Sequence, residues 1–395
     1  MPRFALLAVF AAAVLSVLAA PGFSRTWHVE LGGSGDVPTI QAAIDSAAMD
    51  DSILVGPGTY TWSNQGTGDP LYGMIKMLKD APALTIVGEM GASMTILDGE
   101  SMGRIFYYMG YYPGDPGGLT IDGFTFTGGV PTLPSQLVGG AFTAHMSSPV
   151  VRNCVFIGNS ADQGGAVWCG GQGGPVFENC QFIGNSARYG GAAFFVNTPF
   201  TTTVSNCTFL ENDAMRGGAL YAYNVPLVVQ DCTMLLNNAT AEGGAMVLNQ
   251  CYPSFVSSTT LYQNEGLTGG GIALLSTTNL TVENTIIAWS ENGGAVSVPG
   301  AATMTLACSD LFANWGGDWM GKVAGQLGVN GNISADPLFC NRSSRDFTLH
   351  ADSPCAPGYH PDGTDCGLIG AFPVGCGGVP TEERTWGSIK SKYAD

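Results

Sequence analysis

Charge is scarce in this sequence, and basic charge scarcest. Only 11% of its 395 residues are Asp, Glu, Lys or Arg, and Lys and Arg together number 14. A net charge of −17 with so few cations leaves no basic stripe for nucleic acid, nor a surface suited to anionic lipid. Past Ala20 no apolar run reaches the roughly 18 residues a spanning helix requires, so no membrane span is expected beyond the N-terminal segment. Histidine is confined to positions 28, 145, 350 and 360, and Cys-x-x-Cys is absent, which removes the usual zinc spacings. Helical runs free of glycine are missing, which excludes helical repeats; the L-x-x-L-x-L spacing of leucine-rich repeats is missing too. The acidity serves solubility. Calcium is the one cation it would favour, and otherwise no cofactor is expected. Gly32-Gly33-Ser34-Gly35-Asp36 is too short and unrepeated for a calcium β-roll.

What is abundant is glycine, 57 residues, scattered among Val, Phe and Thr in a manner that predicts many short strands and tight turns. Residues 1–24 have the form of a signal peptide: Arg3, an apolar stretch from Phe4 to Ala20, then small residues with cleavage after Ala19 or Ser24. The expectation is export, to the cell surface or the medium; a retained anchor is the alternative. Eleven cysteines fit an oxidising compartment, though the number is odd.

Internal periodicity decides the fold. Alignment on Cys154, Cys180, Cys207, Cys232, Thr259 and Thr285 gives steps of 26, 27, 25, 27 and 26. In phase with them run Asn159, Asn185, Asn212, Asn237 and Asn264, then Gly-Gly pairs beginning at 164, 190, 217, 243 and 269. Cys154 and Phe156 are two apart and so face one side of a strand. Asn159 ends that strand, where it tolerates left-handed backbone, and stacked asparagines can bond to one another. The glycine pair makes a corner that a Cβ would obstruct. One such coil cannot bury its own apolar face. Coils stacked about 4.8 Å apart form parallel sheets around a shared interior. The predicted class is all-β, a right-handed parallel β-helix solenoid with an N-terminal capping helix and a cysteine-rich C-terminal cap. Its divisions are 25–120 for the N-terminal cap and first coils, 121–320 for the repeats, 321–379 for the C-terminal cap and 380–395 for a tail. That tail carries Trp386, Ile389 and Tyr393 on a short helix.

Phe-x-x-Asn at 156–159, 182–185 and 209–212, with Met and Leu variants at 234 and 261, followed by Gly-Gly-Ala, resembles the repeat of the chlamydial polymorphic outer membrane proteins. The resemblance covers about residues 120–300 and implies a pectin-lyase-like β-helix on a surface or secreted protein. Those proteins end in a membrane β-barrel; the roughly 95 residues after position 300 are too few and too irregular for one. Residues 26–60 resemble the N-terminal cap of secreted bacterial β-helix proteins, with Thr39 to Met49 as its amphipathic helix.

Several constellations invite chemistry. The cysteine ladder reads as core, because stacked Cβ atoms lie near 4.8 Å whereas a disulfide requires about 3.8 Å. Cys308, Cys340, Cys355, Cys366 and Cys376 are the disulfide candidates, with one or two bridges expected and the pairing open. The residues before each Gly-Gly corner, Asp162-Gln163, Arg188-Tyr189, Met215-Arg216 and Ala241-Glu242, are expected to line one outer turn. There Asp162, Arg188, Arg216 and Glu242 would grip a sugar acid or form a surface ion-pair row. Trp62, Tyr107, Tyr108, Tyr111 and Tyr112, with Tyr60 and Tyr72, sit among Gly and Pro and read as loop aromatics that stack on sugars or pack among themselves. Asp98 and Asp122 read as Asp-Gly turns. Two functions follow: a non-enzymatic scaffold recognising glycans or cell-surface polymers, or a polysaccharide lyase or glycoside hydrolase acting in a flank groove. Two or three carboxylates converging within about 10 Å would favour the second.

Overall fold

A computed structural model describes residues 24–66, 68–78, 83–110, 118–134 and 137–377. Almost all of the expected signal segment, Tyr111, Tyr112 and the tail lie outside these residues. A representative coil runs Val176–Glu178, Gln181–Ile183, Ser186–Tyr189 and Ala193–Val196, then re-enters the first sheet one level up at Thr202–Ser205. Repetition builds parallel sheets of eleven, ten and nine strands, with a four-stranded sheet along one corner. The chain is thus a parallel β-solenoid.

Register explains the repeat. Phe156, Phe182 and Phe209 pair in sequence and continue as Met234, Leu261, Ile287 and Leu311. The three phenylalanine rings stack face to face at 4.9 and 4.7 Å. Cys154, Cys180, Cys207 and Cys232 are buried free thiols. Each Sγ donates to the carbonyl two residues back, as Cys207 does to Ser205 O at 3.2 Å, and those of Cys207 and Cys232 also accept from the preceding coil, from Cys180 N at 3.4 Å and Cys207 N at 3.5 Å. Thr259, Thr285 and Ser309 donate in the same way to Ser257, Glu283 and Ala307. The position therefore demands a small side chain with one donor, not sulfur chemistry.

Asn159, Asn185, Asn212, Asn237 and Asn264 form a buried amide column. Both the backbone N–H and the side-chain NH₂ of Asn185 donate to Asn212 Oδ1 at 3.0 Å, and its NH₂ also donates to Phe156 O on the coil below. These asparagines do not take the left-handed backbone expected of them. The preceding residues do: Gly158, Gly184, Glu211, Leu236 and Gln263, and likewise Trp289 before Ser290, have φ between 48 and 66°. The asparagine amide has to turn inward to reach the next coil, so the corner is made one residue earlier. At the glycine corner, a Cβ on Gly191 would overlap the Gly218 carbonyl of the coil above.

Helix Ile40–Ser46, capped by Thr39 accepting from Ala42 N at 3.1 Å, buries Ile40, Ala43 and Ile44 over the N-terminal end. The other end differs from the simple cap expected over 321–379. Trp319 and Val323, in and beside the 3₁₀ helix Gly321–Gln326, close the interior. Gln326 satisfies the last strand, accepting from Leu306 N and donating to Met304 O. The chain then doubles back as a lid over the outer face of the ten-stranded sheet. Phe347 covers Leu235 and Tyr262, while Leu349 and Ile369 cover Ile286 and Ala288. Cys308–Cys366 and Cys340–Cys376 staple this lid. Cys355, a disulfide candidate from sequence, is instead a free buried thiol 3.4 Å from the Asp310 carboxyl.

Candidate functional site

The predicted charged stripe is two columns rather than one. Tyr189, Arg216 and Glu242 pair in register in the four-stranded sheet, and Arg216 and Glu242 form an ion pair at 2.6 Å. Asp162 and Arg188 occupy the neighbouring column, where Arg188 N bonds to Asp162 O. Adjacent residues of a strand face opposite ways, so these four side chains do not converge. Arg188 lies instead near the Tyr189 ring, 5.2 Å from its centroid.

The predicted aromatic loop is largely packing. Trp62 lies across Gly68 and Gly103, with no room for a Cβ at either. Tyr108 points into the core, and Tyr107, outward but only 8% exposed, packs against Tyr72 and the Arg104 guanidinium. Tyr60 is likewise interior, where burial pushes its phenol up to about 12.

The aromatic surface that sequence reasoning missed lies elsewhere. An open groove of about 450 Å³ runs across three coils near the C-terminal end, lined chiefly by Gln263, Trp289, Glu291, Asn292 and Trp315. Gln263, Trp289 and Ala313 occupy the same left-handed corner on successive coils. Ala313 has almost no side chain, so the space above Trp289 stays open. Trp289 is braced by Tyr262 and Phe312, with ring centroids 5.5 and 5.3 Å away, and the lid's Arg342 guanidinium lies over it at 4.3 Å. Trp315 stands at the other wall, 84% exposed. Its turn is held by Asp318, which accepts from Asn314 N and Asn314 Nδ2 at 2.9 and 2.7 Å. Glu291 accepts from Gln263 at 3.3 Å, and Glu265, its register partner one coil below, accepts from Asn292. The groove thus offers one fixed and one free indole beside carboxylates and amides. Among the described residues no group of three or more metal-ligating side chains occurs. The one sequence signal was Trp289 itself, an indole at the corner where the earlier repeats carry Gly158, Gly184, Glu211, Leu236 and Gln263.

No curated protein matches this sequence. Several solved structures resemble it, three of them as follows. A pectate lyase is 14% identical, with a TM-score of 0.49 over 90% of this chain and 97% of that one. A pectin methylesterase from carrot is 14% identical, with a TM-score of 0.39 over 87% and 95%. The A-module of a mannuronan C-5 epimerase from Azotobacter vinelandii is 12% identical, with a TM-score of 0.26 over 72% and 87%. The sequence also matches the family described as "Right handed beta helix region" over residues 109–233 and 139–333. Those overlapping matches span more than half of the sequence, and on that ground the chain belongs to the right-handed β-helix family.

Proposed function

We propose that this is an exported β-helix scaffold that binds glycans through the Trp289–Trp315 groove. The carrying observation is Trp315, which exposes most of an indole to solvent across from a braced Trp289, with Gln263, Glu291 and Asn292 between. Indole faces stack on the C–H faces of sugar rings, while amides and carboxylates bond to hydroxyls. Export is supported by the Phe4–Ala20 stretch and by two disulfides, which persist in oxidising compartments.

The test is retention of purified protein on a panel of neutral and acidic glycans, with release of reducing or unsaturated ends measured in parallel. The expected result is retention without turnover, weakened at least about tenfold by Trp315→Ala, equivalent to about 1.4 kcal/mol. One observation favours a second reading as a hydrolase: Glu265 and Glu291 stand in register on adjacent coils beside the groove. Turnover abolished by Glu291→Gln would establish that reading and overturn the first. Sequencing the N-terminus of protein recovered from the medium tests export, with Ala20 or Arg25 expected as the first residue.

A further inference from the structure

A second concavity, of about 400 Å³, lies at the opposite kind of corner, where the chain leaves the nine-stranded sheet for the eleven-stranded one. Asn197, Asn224 and Gln250 each follow a strand of the nine-stranded sheet, on three successive coils, with φ of 52, 53 and 57°. Paired strands in register place these three amides one above another, about 4.8 Å apart along the solenoid axis. Asn224 Nδ2 donates to Asn197 Oδ1 at 3.1 Å, which orients both side chains. Among the described residues, the Asn197 NH₂, the Asn224 carbonyl and the Gln250 side chain show no hydrogen-bond partner, so donors and acceptors both face outward. Pro199 and Pro226 give the cleft rigid apolar walls, and Tyr252, 60% exposed, stands at its edge. None of the residues lining it carries a charge.

We infer that this corner binds an uncharged, hydroxyl-rich polysaccharide chain lying along the solenoid axis. A row of amides one coil apart matches a ligand that presents hydroxyls at regular intervals, since an amide both donates to and accepts from a hydroxyl. The spacing is close to the advance of one sugar residue in an extended chain. Tyr252 supplies a ring face for stacking. An acidic polymer would find no cation here and would approach a molecule of net charge −17. The inference stands apart from the Trp289–Trp315 groove, which shares no residue with this cleft.

Isothermal titration of the full chain with cellohexaose, xylohexaose, mannohexaose and hexagalacturonate tests it. At least one neutral hexasaccharide is expected to bind more tightly than hexagalacturonate. Its affinity should hold within about twofold when NaCl rises from about 0.05 to about 0.5 M, because no ion pair is screened. Measured in a Trp315→Ala background, where the groove no longer contributes, Tyr252→Ala should weaken neutral binding at least about tenfold and Gln250→Ala about threefold or more. Thermal melts of each variant confirm folding, and Gln250→Ala serves if Tyr252→Ala melts early. Absence of neutral binding, preference for hexagalacturonate, or unchanged affinity in a folded Tyr252→Ala chain of that background overturns the inference. Complete loss of neutral binding in Trp315→Ala alone overturns it while leaving the groove reading intact.

Discussion

Single positions in this molecule act by what they do for the coils above and below. Asn212 bonds to Phe182 O below and to Asn237 Oδ1 above, and accepts from Asn185. Asn212→Ala orphans buried groups on both neighbours at about 1–3 kcal/mol each, so a loss of roughly 4 kcal/mol is expected in urea unfolding. Cys207→Ser keeps the donor and the acceptor, as Ser309 does naturally, and should cost about 1 kcal/mol or less; a larger loss would mean that the thiol's size matters more than its hydrogen bond. Asp310 is a different case. Burial beneath the lid raises its carboxyl to about 8, with Asp318 and Asp336 adding to the rise against the opposing Ala335 N–H and Cys355 thiol. An acid whose folded pKa is raised stabilises the fold in its protonated form. That stability is complete below the ordinary carboxylate value near 4, declines as pH climbs from about 4 to about 8, and is level above. Melting temperatures of the parent should therefore fall across that window relative to Asp310→Asn, and parallel curves would refute the assignment.

Among elements, the lid carries the sharpest expectation. Its bridges close 58 and 36 residues of sequence, which the chain-entropy view values at about 4 kcal/mol each. Reduction should free the lid while the solenoid stays folded. A hydrophobic dye should then bind the uncovered Leu235, Tyr262 and Ile286, and tryptophan emission should shift as Arg342 leaves Trp289. Unchanged dye binding on full reduction would show that packing alone holds the lid. The lid also marks where sequence reading stops. The repeating coil was legible because its contacts recur every 25 to 27 residues, so Cys, Phe, Asn and Gly-Gly fall into phase. Lid contacts join unrelated sequence: Ala371 N donates to Thr260 Oγ1 across 111 residues, and Arg345 pairs with Glu211 across 134. No local pattern announces such pairs. The charged stripe divides into two columns for a related reason. Asp162 and Arg216 share a motif position only to within one residue, and one residue on a strand reverses a side chain. The Trp289 groove exists because a different coil places alanine above it.

At the scale of the whole molecule, each coil touches only its neighbours, so stability sums over rungs. Removing residues 180–206 joins Asn179 to Cys207 and recreates the native Asn-Cys junction with register intact. That shortened protein should fold cooperatively, with a strand-rich circular dichroism spectrum and a melting temperature lower by several degrees. Removing 180–192 instead breaks the phase of every sheet and should give aggregate; a soluble, well-folded product from that deletion would contradict the register described above.

The disulfide-stapled flap lies against the outer positions from Leu210 to Phe312, and Ile157, earlier on the same face, is 39% exposed. The length of the solenoid and the geometry of the groove are therefore separable. Duplicating a rung in the earlier stretch would yield a longer rod bearing the same tryptophan-walled tip, at the same distance from its own terminus. Descendants of this gene could change reach by unequal crossover alone, with every atom of the Trp289–Trp315 groove left in place.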